Sequence, residues 1–296
     1  VLAEVNWRRV AEEHRARVRR ITGPHRERAA RGEAHPVLDF LFTYYSYRPS
    51  RLERWHPGPG VALAGEAARQ YLRWPGYRQT GSGVALVPAA VPATTRRTAR
   101  FVEELLRATA VRPPHLGCFG LHEWAMVYRQ PAGELRHCRV PLRLGAAGTD
   151  AVVETLPIRC SHHDAFRFFT AAARPRNILQ PARADQLALE QPGCLHATMD
   201  LYKWAYKLAP ATPSEVVADC LELAADTREL DMRASPYDLG AFGYEPVAVE
   251  TAAGRAEYAR AQAALAARAA PLRDRLIALC GALLGAPDAP LVEHGA

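Results

Sequence analysis

Apolar and polar residues alternate at helical spacing over most of the chain, and the pattern predicts a mainly α protein with a few short strands. Residues 3–31 read as one long charged helix, and an aromatic helix follows His35-Pro36 as far as Tyr47. HPGPG at 56–60 reads as a loop, because its prolines and glycines stop helix and strand alike. Helix is expected again at 62–73 and 95–110, with a short hairpin over 77–88 around Gly81–Gly83. A helix is expected at 121–129. RVPLRL (139–144) and AVVETLPIRC (151–160) read as strands joined by GAAGTD. Ser161 then caps a helix over 162–172, and helices follow at 183–190, 195–209, 214–230 and 255–285. The whole forms one globular domain, 1–296, with a tail from about 287 expected to fray.

Composition narrows the class. Nearly half of the 296 residues are apolar, enough for one large core, yet no run is long enough to span a membrane. VLAEVNWRRV lacks the apolar run and small-residue site of a secretion signal, and six irregularly spaced cysteines are no disulfide framework. A cytoplasmic protein is expected. Net charge is +7, and residues 4–33 carry nine arginines against five glutamates. That basic stripe suits a polyanion, with Arg8, Arg15, Arg19 and Arg26 as phosphate contacts, although a solvated face laced with Glu/Arg pairs is the simpler account of it.

A compositional bias acts as a marker. Only two lysines occur, Lys203 and Lys207, against 36 arginines, a pattern expected of a GC-rich genome. Residues that such a bias disfavours should persist where chemistry or shape requires them. They cluster in LDFLFTYYSY (38–47), LGCFGLHEWAMVYR (116–129), IRCSHHDAFRFF (158–169) and MDLYKWAYKL (199–208). A plain core accounts for the aromatic and aliphatic members. It does not account for interleaved His, Glu, Asp and Lys, which are costly to bury unpaired. The four segments are therefore expected to converge on one cavity.

On the helix at 195–209, His196, Asp200, Lys203 and Lys207 fall on a single stripe. Asp200 can orient His196 and pair with Lys203. A desolvated Lys203 could be a nucleophile, and a charged one an ion-pair partner. A structural salt-bridge ladder is the bland alternative. His122 and Glu123 are adjacent at a helix start, so at most one can face a given site. Glu123 could gain a raised pKa beside Trp124 or merely complement the helix dipole. Ser161 with Asp164 resembles a capping box, while His162 and His163, in the first turn, should be neutral and free to act as bases or ligands. Tyr44, Tyr45, Trp124, Tyr128 and Trp204, with His163, are candidate substrate contacts.

Cys118/His122, Cys160/His162 and Cys194/His196 bring a thiol and an imidazole together three times. Without C-x-x-C or H-E-x-x-H the metal signal is weak, and neither a metal nor a cofactor is expected.

Five strings, HPVLDFLFTYYSYRPSRLERWHPG, GCFGLHEWAMVYR, CSHHDAFRFFTAAARP, EQPGCLHATMDLYKWAYKLAP and LDMRASPYDL, resemble an actinobacterial family of about 300 residues carrying the label 3-methyladenine DNA glycosylase. The resemblance runs from about Trp7 to Leu284. It implies DNA as partner and excision of alkylated purines, but carries over no individual catalytic residue. Such a reaction needs an aromatic pocket, a carboxylate for the sugar cation or for water, and cations for phosphate. The aromatics above, the carboxylates Glu123, Asp164 and Asp200, and the Arg-rich helix supply these ingredients. The alternatives are a small-molecule enzyme, metal-dependent or not, using the His/Asp/Glu cluster, and a non-catalytic nucleic-acid binder.

Overall fold

A computed structural model describes residues 1–131, 133 and 140–285. Helix dominates, as the periodicity predicts, and the described residues include one three-stranded antiparallel sheet. Four long helices form the body: α4 (Ala93–Ala110), α9 (Leu195–Lys207), α10 (Ser214–Arg233) and α11 (Ala252–Leu284). α9 packs on α10 and α11, and α11 also covers α4. α9 is buried on nearly every side, which makes it the central helix and explains its dense mixture of apolar and paired polar residues.

The amino-terminal helix α1 (Glu4–Ala30) matches its predicted span. It buries Trp7, His14, Val18 and Thr22, residues seven, four and four apart on one stripe. Arg17 ties α1 to α10 through Glu222 and Asp219. The sheet comprises β1 (Ala62–Leu63), β2 (Tyr77–Thr80) and β3 (Gly83–Leu86) in the order β1-β3-β2. Gly83 has φ of +124°, and a Cβ there would come within 2.3 Å of the Leu63 carbonyl oxygen. The close pairing of β1 and β3 therefore requires glycine.

Several elements differ from the sequence reading. The second predicted strand makes one isolated parallel bridge in its second half, Ile158 to Asn177, and its first half and the GAAGTD turn are instead helix α6 (Gly145–Thr155). Thr149, Val152 and Val153 are its buried positions, so an i, i+3, i+4 stripe prevails over the β-branched run. Of the first predicted strand, Leu142 makes one isolated bridge to Tyr237, and Arg139 lies outside the described residues. The aromatic helix shortens to α2 (Phe40–Thr43), and a further turn, α3 (Pro49–Leu52), follows it. Residues 62–73 divide into β1 and a 3₁₀ helix, Glu66–Arg73, with Gly65 at φ +95° breaking the run. Helix 121–129 contracts to α5 (Leu121–Ala125), and helix 162–172 to α7 (His163–Phe166). His162, not Ser161, caps α7, so the expected capping box is absent. The predicted 183–190 helix is a 3₁₀ turn, Arg183–Asp185, running into α8 (Gln186–Leu189). The expected frayed tail lies outside the described residues. No helix among the described residues is long and apolar enough to cross a membrane, and the described cysteines are free.

Candidate functional site

The polar stripe on α9 connects the protein interior to a cavity. His196 lies in the first turn of α9, Asp200 one turn on, Lys203 at the cavity wall and Lys207 at its exposed rim. Asp200 is buried and held from three directions. Tyr45 Oη donates to its Oδ1 at 3.2 Å, the Lys203 ammonium binds Oδ2, and His162 Nε2 stands 3.5 Å from Oδ2. Burial alone would raise its pKa, but Lys203 and His162 outweigh burial and hold the carboxyl well below the usual range. Lys203 also approaches Asp164 Oδ2 at 3.5 Å. Burial works against its charge, yet Asp200 and Asp164 prevail and raise its pKa. Lys203 thus lies between two carboxylates, paired with Asp200 and near Asp164.

The cavity above this array has a volume of about 790 Å³. Rings of Tyr44, Phe101, Trp204 and Tyr206 line it. Its charged lining consists of Asp164 against Arg167, Arg183, Lys203 and Lys207. Lys203 and Lys207 both lie over the Trp204 ring, at 4.4 and 5.5 Å from its centroid. Such an excess of cations over carboxylates, edged by π faces, suits a ligand with a planar ring and an anionic group.

Behind the cavity lies a second, sealed polar cluster. His122 Nε2 is 2.8 Å from Asp231 Oδ1, and Arg228 Nη1 donates to Glu123 Oε1 at 2.8 Å and to Asp231 Oδ2 at 2.6 Å. His196 joins the two clusters: its ring centroid is 4.6 Å from that of His122 and 5.3 Å from that of His162. The electrostatics alternate along this row. Burial opposes charge on His122, but Asp231 overrides it and raises the pKa well above its ordinary value. At His162 burial is again overridden, by Asp200 and Glu190, and the pKa rises to about 9. His196 is depressed by burial and by its two imidazole neighbours. His162 caps α7 rather than occupying its first turn, so the dipole argument for a neutral ring does not hold against two adjacent carboxylates.

The four motif segments meet, but not all on the cavity. Tyr44, Tyr45, His163, Asp164, Lys203 and Trp204 line it, and Asp200 lies directly beneath. Tyr45 is almost wholly buried, and its hydroxyl anchors Asp200 instead of presenting a face. His122, Glu123 and His196 belong to the interior row. Trp124 is a core residue whose Nε1 donates to the Ala234 carbonyl, under Arg143. Tyr128 donates to Glu154 and lies between Arg129 and Arg176. These two rings lie off the cavity lining, a correction to their reading as substrate contacts. The interior position of Trp124 follows from α5 packing inward with every residue buried.

The basic helix also departs from its expected role. Arg8 pairs with Glu4, Arg15 with Glu12, and Arg19 and Arg26 both with Glu53. Arg8 and Arg15 border a different cleft, beside Trp55 and Tyr71. The Glu/Arg lacing considered for this helix is what the structure contains, and its arginines are absent from the lining of the main cavity.

Sequence reasoning missed Glu190, Arg228 and Asp231. Glu190 and Asp231 fall inside the motif strings EQPGC and LDMRASPYDL, yet lone carboxylates in helical surroundings carry no spacing signal. The chain matches no family model, no curated protein and no solved structure.

Proposed function

We propose that this protein hydrolyses N-glycosidic bonds at the main cavity, with alkylated purines in DNA as the substrate. The observation that carries the reading is the Asp164–Lys203–Asp200 array at one wall of a cavity whose lining also carries several aromatic rings and cations. Lining rings such as Tyr44 and Trp204 offer π surface to a planar base. A carboxylate beside the sugar stabilises the cationic character that develops at its anomeric carbon as the bond to nitrogen breaks, and it accepts a proton from attacking water. Asp164 is the carboxylate open to the cavity, and Lys203 positions it against Asp200. An alkylated purine already carries positive charge and leaves without an acid. Arg167, Arg183 and Lys207 are exposed at this cavity and take the phosphate role in place of α1.

Duplex DNA containing N-methylated purines tests the proposal, with released base quantified by mass spectrometry. Asp164→Asn should slow release about 100-fold, roughly 2.7 kcal/mol in barrier. Lys203→Arg should slow it about tenfold, because a planar fork cannot reproduce the bridging ammonium. Lys207→Arg should be nearly silent. Borohydride should trap no adduct on Lys203, whose ammonium is held charged. Absence of base release by the unaltered protein would end the DNA reading.

DNA binding provides an independent check. Removing Arg167 or Arg183 should each lower the slope of log affinity against log salt by about one unit, and removing Arg8 or Arg15 should leave it unchanged. The reverse pattern would restore the amino-terminal helix as the phosphate surface. A second reading is favoured by the neutralised arginines of α1: the same bond is cleaved in a free nucleotide. Base release from nucleoside monophosphates but not from duplex DNA would establish it.

A further inference from the structure

Beneath the cavity, three buried side chains converge without bonding to one another in the usual way. His162 Nε2 stands 3.5 Å from Asp200 Oδ2 and 3.6 Å from Glu190 Oε2. Donor atoms of the three residues all lie within 4.8 Å of one another. All three side chains are 3% exposed or less. Yet neither ring nitrogen of His162 has a partner in hydrogen-bonding geometry among the described residues. A buried imidazole in that condition is uncommon, and each unsatisfied group is costly.

The carboxylates are fixed from outside. Thr109 Oγ1 donates to Glu190 Oε1 at 3.3 Å, and Gln186 Nε2 donates to Oε2 at 2.9 Å. Tyr45 and Lys203 hold Asp200 in the same manner. Carboxylates oriented by hydrogen bonds from an outer layer, around a buried imidazole whose nitrogens have no hydrogen-bonding partner of their own, are the arrangement of a metal site. In the neighbouring His122–Glu123–Asp231 cluster the Arg228 guanidinium bonds both carboxylates, whereas here Lys203 bonds Asp200 and the Glu190 carboxylate faces His162.

We infer that His162, Glu190 and Asp200 bind one divalent transition-metal ion directly below the cavity. One imidazole and two carboxylates suit Zn²⁺, Fe²⁺ or Mn²⁺, whereas an all-oxygen set would favour Mg²⁺ or Ca²⁺. The inference stands apart from the N-glycosidic reading, since its readouts are binding and spectra, not turnover.

The test uses the full chain. Protein stripped with chelator and dialysed is titrated with Zn²⁺, Mn²⁺, Co²⁺ and, without oxygen, Fe²⁺. Elemental analysis after desalting should give about one ion per chain for at least one of them, with a raised thermal midpoint. Co²⁺ should show visible d–d bands without thiolate charge-transfer absorption in the near ultraviolet. Gln186→Leu, which leaves the three donors in place but frees Glu190, should weaken binding about 10- to 100-fold, and His162→Gln should weaken it further. Less than a tenth of an equivalent of every ion on folded, unaltered protein would overturn the inference, leaving His162 a proton-bearing bridge between two carboxylates. Thiolate absorption would also overturn it, by moving the ion to Cys118, Cys160 or Cys194. So would unchanged affinity in a folded His162→Gln variant.

Discussion

Arg228→Met is expected to cost the fold about 3–5 kcal/mol, the penalty for leaving buried charges without their partner. The guanidinium is 2% exposed and bonds Glu123 and Asp231, which are themselves buried. Its planar face also lies 4.3 Å from the Phe40 ring centroid. Methionine fills comparable volume, so the loss comes from two carboxylates left with His122 as their remaining charge partner and not from a cavity. The double variant Arg228→Met with Glu123→Gln removes one charge of each sign. It should recover a measurable part of the loss, because the remaining Asp231 keeps His122. Urea unfolding checks both, as a lower midpoint at unchanged slope. A single variant within 1 kcal/mol of the parent would mean that these carboxylates tolerate burial unpaired or take up protons, and the row from Arg228 to His162 would not be electrostatically coupled. The result reaches the candidate site, because Asp231 orients His122, which abuts His196.

How much of this was legible in the sequence depends on whether a residue's role is local. The α9 stripe was readable because four polar residues share one helical face, and helix geometry alone brings Asp200 to Lys203. The long helices α1, α4, α10 and α11 were readable for the same reason. Glu190 and Asp231 were not, since their histidine partners are 28 or more residues away in sequence and no periodicity links Glu190 to His162 or Asp231 to His122. The aromatics divide the same way. Trp124 and Trp204 look alike as residues in polar strings, yet one ends in the core and the other under two lysines, a difference set by which face α5 and α9 turn inward. The α1 arginines were ambiguous because their nearest carboxylates are partly local, Glu4 and Glu12, and partly distant, Glu53. A compositional excess of cations does not reveal how many are already paired.

Stability should also fall in acid through His56, away from both clusters. This imidazole is buried at the foot of β2, its Nδ1 3.1 Å from Tyr77 Oη, with Tyr71 and Trp74 at ring-contact distance. Burial, then Arg54 and His14, depresses its pKa from 6.5 to about 3. The ring is therefore neutral in the fold, while in the unfolded chain it takes up a proton below about pH 6.5. Its stabilising contribution is complete above that pH and is lost as pH falls toward 3, because protons favour the unfolded state across that window. The total is roughly 4–5 kcal/mol, lost at no more than about 1.4 kcal/mol per pH unit. His14, depressed mainly by burial, acts in the same direction, so the test must be differential. His56→Gln keeps a polar side chain near Tyr77 and has no proton to gain. It will be less stable than the parent at pH 8, where the native histidine packs better, but its stability should fall less steeply between pH 6 and pH 4. Equilibrium unfolding of both proteins at half-unit intervals gives the two curves. If they run parallel, His56 protonates within the fold as readily as in the open chain, and the loop at 56–60 would have to open to solvent well before the protein unfolds.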